Sequence, residues 1–366
     1  MVEKEKRKGE NTLRVLIRTL VIVCSLLLVG FVLNVATKDE REILVNENSH
    51  QPKVAEDLNE AANETASIAL PNQGLASLMG KTSKELISEL GKPTRIDPSL
   101  YDYEWWIYPE DYEKYVQIGI TDNKVVTVFV TGAKAEIQPF KIGQSITEIY
   151  TTTQVETNIN IDHQNGSYRF ELSEDDLNSR PLILLGDFFA QLYIDKFTGT
   201  LSSVRLLDKE SLIKLHPYEM VYRGELLEAN LSSEIKEDEV ERGKARQIFD
   251  LTNVIRVRHG IKPLEWDEQL AEVAYEHSKD MFESEQFSHI SEKSGELSDR
   301  LEANHVIYQI AGENIAANYI DAPAVIEGWL NSKGHRESLL NEEFTHLGVG
   351  VYKKHYTQNF IGKWQE

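Results

Sequence analysis

The chain has 366 residues, 41% of them hydrophobic and 27% charged, with a formal net charge of −21. That length fits two domains with additional segments, and the ordinary composition excludes general disorder. The acidity disfavours a sequence-independent grip on nucleic acid phosphates and favours repulsion from anionic surfaces.

Residues 1–18 form a basic segment with Lys4, Lys6, Arg7, Lys8, Arg14 and Arg18, and residues 19–36 carry no charge. At ~1.5 Å per residue a helix over 19–36 spans most of a ~30 Å hydrocarbon core. The basic flank orients the N-terminus to the cytoplasm, giving a single-pass cell-membrane anchor with the rest of the chain extracytoplasmic. The rival reading is a signal peptide cleaved near Ala36, which would make the protein secreted; Asn34 is larger than the small residue such a site prefers. Cys24, the single cysteine, lies within the apolar run and reads as a small apolar side chain. The outer chain therefore has no disulfide, no cysteine nucleophile and no cysteine-based zinc site.

Residues 37–74 are rich in Glu, Asn, Ala, Ser and Gln and read as a polar spacer. A new character begins at Leu75. Leu78, Leu86, Ile87 and Leu90 before Gly91 and Pro93 predict a short helix. Tyr115–Ile120 and Lys124–Val130 read as strands, turning at Thr121-Asp122-Asn123. The aromatic run Tyr101 to Tyr108 is read as core on one face and edge packing on the other, with a ligand platform as the alternative. A second passage repeats the pattern. Phe140-Lys141-Ile142-Gly143-Gln144-Ser145 is similar to Leu78-Met79-Gly80-Lys81-Thr82-Ser83, and Gln191–Leu201 parallels Gln117–Val126. Residues 75–222 are thus expected to be an α+β accessory domain of two similar halves sharing a core.

Residues 223–239 are polar and acidic and read as a linker. From Val240 the spacing of Ala245, Ile248, Phe249 and Ile255 predicts a helix that stops at Gly260. Asp267 would cap a second helix carrying Leu270, Ala271, Ala274, Ser278 and Met281, and Asp321 a third with Pro323 in its first turn. Leu347–Tyr352 and Tyr356–Ile361 close the chain as strands, an α+β domain over 240–366.

Seven of the ten histidines lie between His259 and His355. Three words stand out: Phe287-Ser288-His289, Gly312-Glu313-Asn314-Ile315, and Trp329 with Gly334-His335-Arg336. Two imidazoles and a carboxylate suffice for an open zinc site, although no His-Glu-x-x-His helix is present. Each residue also has a structural reading: His289 bonding a loop, Glu313 accepting backbone amides, His335-Arg336 as a hydrogen-bonding node. His277 is read as a satisfied core histidine, and His346 and His355 as solvent-facing.

These words, with Asn253, Arg256, Pro263-Leu264-Glu265-Trp266-Asp267, His277-Ser278 and Gly348-Val349-Gly350-Val351, resemble the CAP domain. That is the domain of cysteine-rich secretory, antigen 5 and pathogenesis-related 1 (SCP/PR-1-like) proteins, here in its bacterial form. The resemblance implies an α-β-α sandwich whose cleft holds two histidines and two glutamates. His289, Glu313 and His335 match three of them, and the second glutamate position holds Ser332. The implied metal ligands are His289, His335 and Glu313, with zinc as the ion. Gly91-Lys92-Pro93-Thr94-Arg95, Tyr103–Tyr108 and Gly119–Val125 resemble the CAP-associated domain found ahead of CAP domains in Gram-positive spore formers. The functions this leaves open are capture of an envelope component or partner, metal-dependent hydrolysis, and a purely structural role. The expected partners are the membrane, through 19–36, and an extracytoplasmic ligand or protein.

Overall fold

The computed structural model describes residues 42–46, 51–55, 67–109, 111–229 and 236–364. The basic segment 1–18, the expected anchor 19–36 and Cys24 lie outside the described residues. Among the described residues no helix is long and apolar enough to cross a membrane. Residues Ile43–Glu366 form one compact unit.

Where residues 37–74, expected as a polar spacer, are described, short pieces of them pair with the body. Strand β1 (Leu44–Val45) pairs in parallel with Ala316 and Ala317, and Asn46 N donates to Ala317 O at 3.0 Å. Strand β2 (Lys53–Val54) pairs with Val221 and Tyr222 in the accessory domain. Farther on, Ile68 bridges to Leu185. A polar composition limits side-chain burial but leaves every backbone N–H and C=O able to complete an open sheet edge.

Helix α1 (Ser83–Leu90) starts with a capping box. The Thr82 hydroxyl accepts from Glu85 N, and the Glu85 carboxylate accepts from Thr82 N. Gly91, at φ 81, ends the helix. Strands β3 (Arg95–Pro98), β4 (Glu104–Tyr108), β5 (Val116–Thr121) and β6 (Lys124–Val130) follow. The β5–β6 turn runs through Asp122 and Asn123, both at positive φ as a tight hairpin demands. Helix α2 (Ile146–Thr152) opens the second half. Hairpin β7 (Asn158–His163) and β8 (Gly166–Glu171) comes next, then α3 (Glu174–Ser179). Strands β9 (Leu182–Leu185), β10 (Phe188–Asp195) and β11 (Thr200–Leu207), helix α4 (Lys209–Leu215) and β12 (Glu219–Gly224) complete the domain.

The duplication is visible in backbone hydrogen bonds. Gly80 N donates to Val125 O and Val125 N to Lys81 O; correspondingly, Gly143 N donates to Leu201 O and Leu201 N to Gln144 O. The halves join where β6 pairs with β11, in a seven-stranded sheet of order β3-β4-β5-β6-β11-β10-β9. The inserted hairpin makes a separate sheet of order β2-β12-β8-β7.

Helix α5 (Glu237–Arg258) begins inside the expected linker. After it come β13 (Glu265–Trp266), α6 (Glu268–Ser284), α7 (Leu297–Ala303) and β14 (Ile310–Ala317). Helices α8 (Ala322–Leu330) and α9 (Lys333–Leu339) precede β15 (His346–Tyr352) and β16 (His355–Gly362). The sheet order is β1-β14-β16-β15-β13. Helix α6 lies on one face, where Ser278 Oγ reaches Gly350 O at 3.0 Å. Helix α5 lies on the other, where Thr252 Oγ1 accepts from Gln358 Nε2 at 2.7 Å. The expected sandwich is thus formed, and glycines set its spacing. A Cβ on Gly348 would come within 2.2 Å of Ala271 N, and one on Gly350 within 1.9 Å of Tyr275 N. Gly350→Ala is therefore expected to destabilise the fold by about 1–3 kcal/mol through overpacking. Urea unfolding reads this directly, and an unchanged midpoint would mean that α6 does not sit this close to β15.

The two domains share a core. Tyr103, Trp105, Ile107, Tyr115 and Phe129 of the accessory sheet cluster with Ile248 and Leu251 of α5 and with Val325 and Trp329 of α8. The aromatic strand β4 is therefore buried on both faces, not on one, because the accessory sheet is covered by helices of the next domain. Trp106 points into the accessory domain's own core.

Candidate functional site

The structure brings His289 and Glu313 together. Glu313 stands on β14 opposite Asn359 of β16, so the two side chains share the α6 face of the sheet. His289, in the loop between α6 and α7, places Nδ1 2.9 Å from Glu313 Oε1. Arg300 of α7 takes the other oxygen through Nη2 and fixes the loop through Nη1, which donates to His289 O at 3.1 Å and Gly295 O at 2.8 Å. Burial opposes ionisation of Glu313. The His289 hydrogen bond and the Arg300 charge outweigh it, and the carboxyl is held below its usual range.

Two further side chains belong here that the sequence reading did not assign. Arg300 carried no signal in the sequence. His277 was read as a satisfied core histidine, and the structure corrects this. It is 1% exposed, neither ring nitrogen has a hydrogen-bond partner, and Nε2 lies 3.9 Å from Glu313 Oε1. Beside them Asn359 is fully buried with both side-chain amide atoms unpartnered. His346 and His355 are also not solvent-facing: His346 Nδ1 lies 2.7 Å from Thr345 Oγ1, and His355 is half-buried against Phe282.

Burial pushes the His277 imidazole down to about 4, with Glu313 opposing. A histidine with a depressed folded value holds its stabilising effect above its unfolded pKa, and loses it as pH falls toward the folded one. Wild-type protein is thus expected to lose up to ~3 kcal/mol from this group between about pH 6.5 and 4, and His277→Gln less of it. Parallel urea titrations at the two pH values test this. Equal losses in both proteins would remove His277 from the account.

Ser332 and His335 form a second pair in the other helical layer. Ser332 occupies the N-cap of α9 but makes no side-chain cap bond; its hydroxyl lies 2.6 Å from His335 Nδ1 instead. A forgone cap is worth roughly 1 kcal/mol, so the contact with the imidazole holds the serine against a real preference. Asn314, next to Glu313, links the halves by donating from Nδ2 to His335 O at 3.2 Å. The accessory domain grips this corner. Arg336 Nη2 donates to Asp195 Oδ2 at 2.9 Å, and Asn331 Nδ2 donates to Ile194 O at 2.8 Å.

Among the described residues no three His, Cys, Asp or Glu side chains are grouped to hold a metal ion. Of the expected ligand set His289, His335 and Glu313, the carboxylate is ion-paired with Arg300. Other residues that looked diagnostic hold the fold. Asn253 bonds both backbone atoms of Leu264, and Arg256 donates to the carbonyls of Lys262, Leu339, Asn341 and Phe344.

Residues 79–218 match the family profile described as CAP-associated N-terminal, and residues 249–363 the cysteine-rich secretory protein family. The chain is 52% identical over 317 residues to the Bacillus subtilis membrane protein YlbC, covering 87% of this chain and 91% of that one. Bacillus subtilis YkwD is 40% identical over 120 residues, 32% of this chain and 47% of that one. An extracellular SCP-domain protein of Bacillus anthracis has a similar crystal structure, with TM-score 0.76 and 43% identity over 86% of this chain and 100% of that chain. A cysteine-rich secretory protein of Staphylococcus aureus gives TM-score 0.72 and 28% identity, over 88% and 100%.

Proposed function

Because the chain belongs to the cysteine-rich secretory protein family, with a CAP-associated domain ahead of its CAP domain, we propose that it is a membrane-tethered extracytoplasmic protein whose CAP cleft captures an envelope component or a protein partner. The observation that carries this reading is the buried polar cluster around Glu313. His277 and Asn359 keep unmet hydrogen-bonding capacity beside a carboxylate locked by His289 and Arg300. Buried polar atoms without partners cost roughly 1–3 kcal/mol each, so a ligand that reaches them is repaid on binding. A carboxylate held in this way is a fixed acceptor and a poor general base.

The tether follows from the uncharged run at 19–36 and from the name of the YlbC relative, a membrane protein. Protease added to intact protoplasts should digest the folded domains of the full chain and leave the N-terminal segment with the membrane. Full protection of the domains would refute the orientation. The metal-dependent hydrolase reading has a separate check. Zinc titrated into residues 42–366 is expected to give no saturable heat, and saturable binding abolished by His289→Ala would restore it.

A further inference from the structure

A second site lies away from the Glu313 cluster, in a cavity of about 370 Å³ between the domains. Three segments distant in sequence enclose it: β1 of the membrane-proximal chain, α3 with β10 of the accessory domain, and α8 with the start of α9. The volume lies in the range of small-ligand pockets, ~300–1,000 Å³. Its lining is charged in two opposite senses. From the accessory side come Arg180 and Lys196, the latter paired with Asp175 at 3.1 Å. From the CAP side comes Glu327 of α8.

Two of these groups are incompletely satisfied. Arg180 uses Nε on Asp176 at 2.7 Å, and its Nη2 is buried without a partner. Glu327 uses Oε1 to accept from Ser202 Oγ at 3.0 Å and Ser203 Oγ at 2.6 Å, and its Oε2 is buried without a partner. Both residues line the cavity, and each holds unmet hydrogen-bonding capacity buried just behind its wall. On the α8 side Gly328 makes room for Tyr319, whose hydroxyl a Cβ there would meet at 2.5 Å.

We propose that this interdomain cavity binds a small zwitterion, a free amino acid, with its carboxylate toward Arg180 and its ammonium toward Glu327. The site exists only while β1 and both domains are assembled, so it is a property of the whole chain and not of a CAP domain alone. It does not depend on the reading of the Glu313 cluster.

The test is calorimetric titration of the detergent-solubilised full chain with alanine, and with acetate and methylammonium as the two halves of the ligand. Alanine should bind saturably, and each half about tenfold or more weaker. Arg180→Gln should weaken alanine by about tenfold or more, while His289→Ala leaves it unchanged. Should Arg180→Gln fail to fold, Ala324→Leu fills the cavity without touching either charge and should abolish binding. No alanine heat at millimolar concentrations, either half binding as well as alanine, or binding lost in His289→Ala would each overturn the proposal.

Discussion

Arg205→Ala is expected to destabilise the protein by about 3–5 kcal/mol, because it strands a buried carboxylate. Arg205 Nη1 lies 2.7 Å from Asp321 Oδ2, and the two side chains are 0% and 5% exposed. The guanidinium also donates from Nη2 to the Tyr103 hydroxyl at 2.9 Å. Asp321 does double duty, since its Oδ1 accepts from Ala324 N at the start of α8. The pair spans the two domains, so its loss should loosen the interface together with α8. The double variant Arg205→Met with Asp321→Asn should recover part of the loss, because removing both charges removes the stranded one. Urea unfolding of the two variants decides this. A loss below about 1 kcal/mol for Arg205→Ala would mean that water reaches Asp321 and that the interface is looser than described.

Arg300→Ala is expected to have a comparable effect, again about 3–5 kcal/mol, with a local signature. Its three hydrogen bonds go to the Glu313 carboxylate and to the carbonyls of His289 and Gly295. Without it the carboxylate keeps only His289, and the loop carrying His289 loses its main tie to α7. Arg300→Lys should restore little, because an ammonium cannot reproduce the fork that reaches carboxylate and loop together. Combining Arg300→Ala with Glu313→Gln should cost less than the sum of the single changes. Full additivity would separate the two residues energetically. Amide hydrogen exchange over residues 287–296 should rise in Arg300→Ala, and unchanged protection there would refute the loop's dependence on Arg300.

Much of this was legible from the sequence, for identifiable reasons. The helix caps at Asp267 and Asp321 were readable because a capping side chain acts on its own backbone within three residues. The duplication was readable because Gly80 and Gly143 serve the same turn at positive φ. The contact of His289 with Glu313 followed from the family words. What escaped was long-range. Nothing near Arg300 says that its fork will meet a carboxylate on β14. His277 shares a helical face with Leu270, Ala274 and Ser278, and that periodicity marks burial without saying what the imidazole meets. The pairing of Leu44–Val45 and Lys53–Val54 was not legible because strand addition uses backbone groups, which composition does not report. The burial of β4 on both faces needed the second domain to be seen against the first.

If the CAP cleft captures an envelope component, residues 42–366 co-sediment with isolated envelope fractions. Wild-type protein should be retained saturably. Folded His289→Ala and Glu313→Gln variants should each lose about tenfold or more of that retention, while Arg180→Gln keeps it. Equal retention of the cleft variants, or no retention of the wild type on any fraction, would contradict the account.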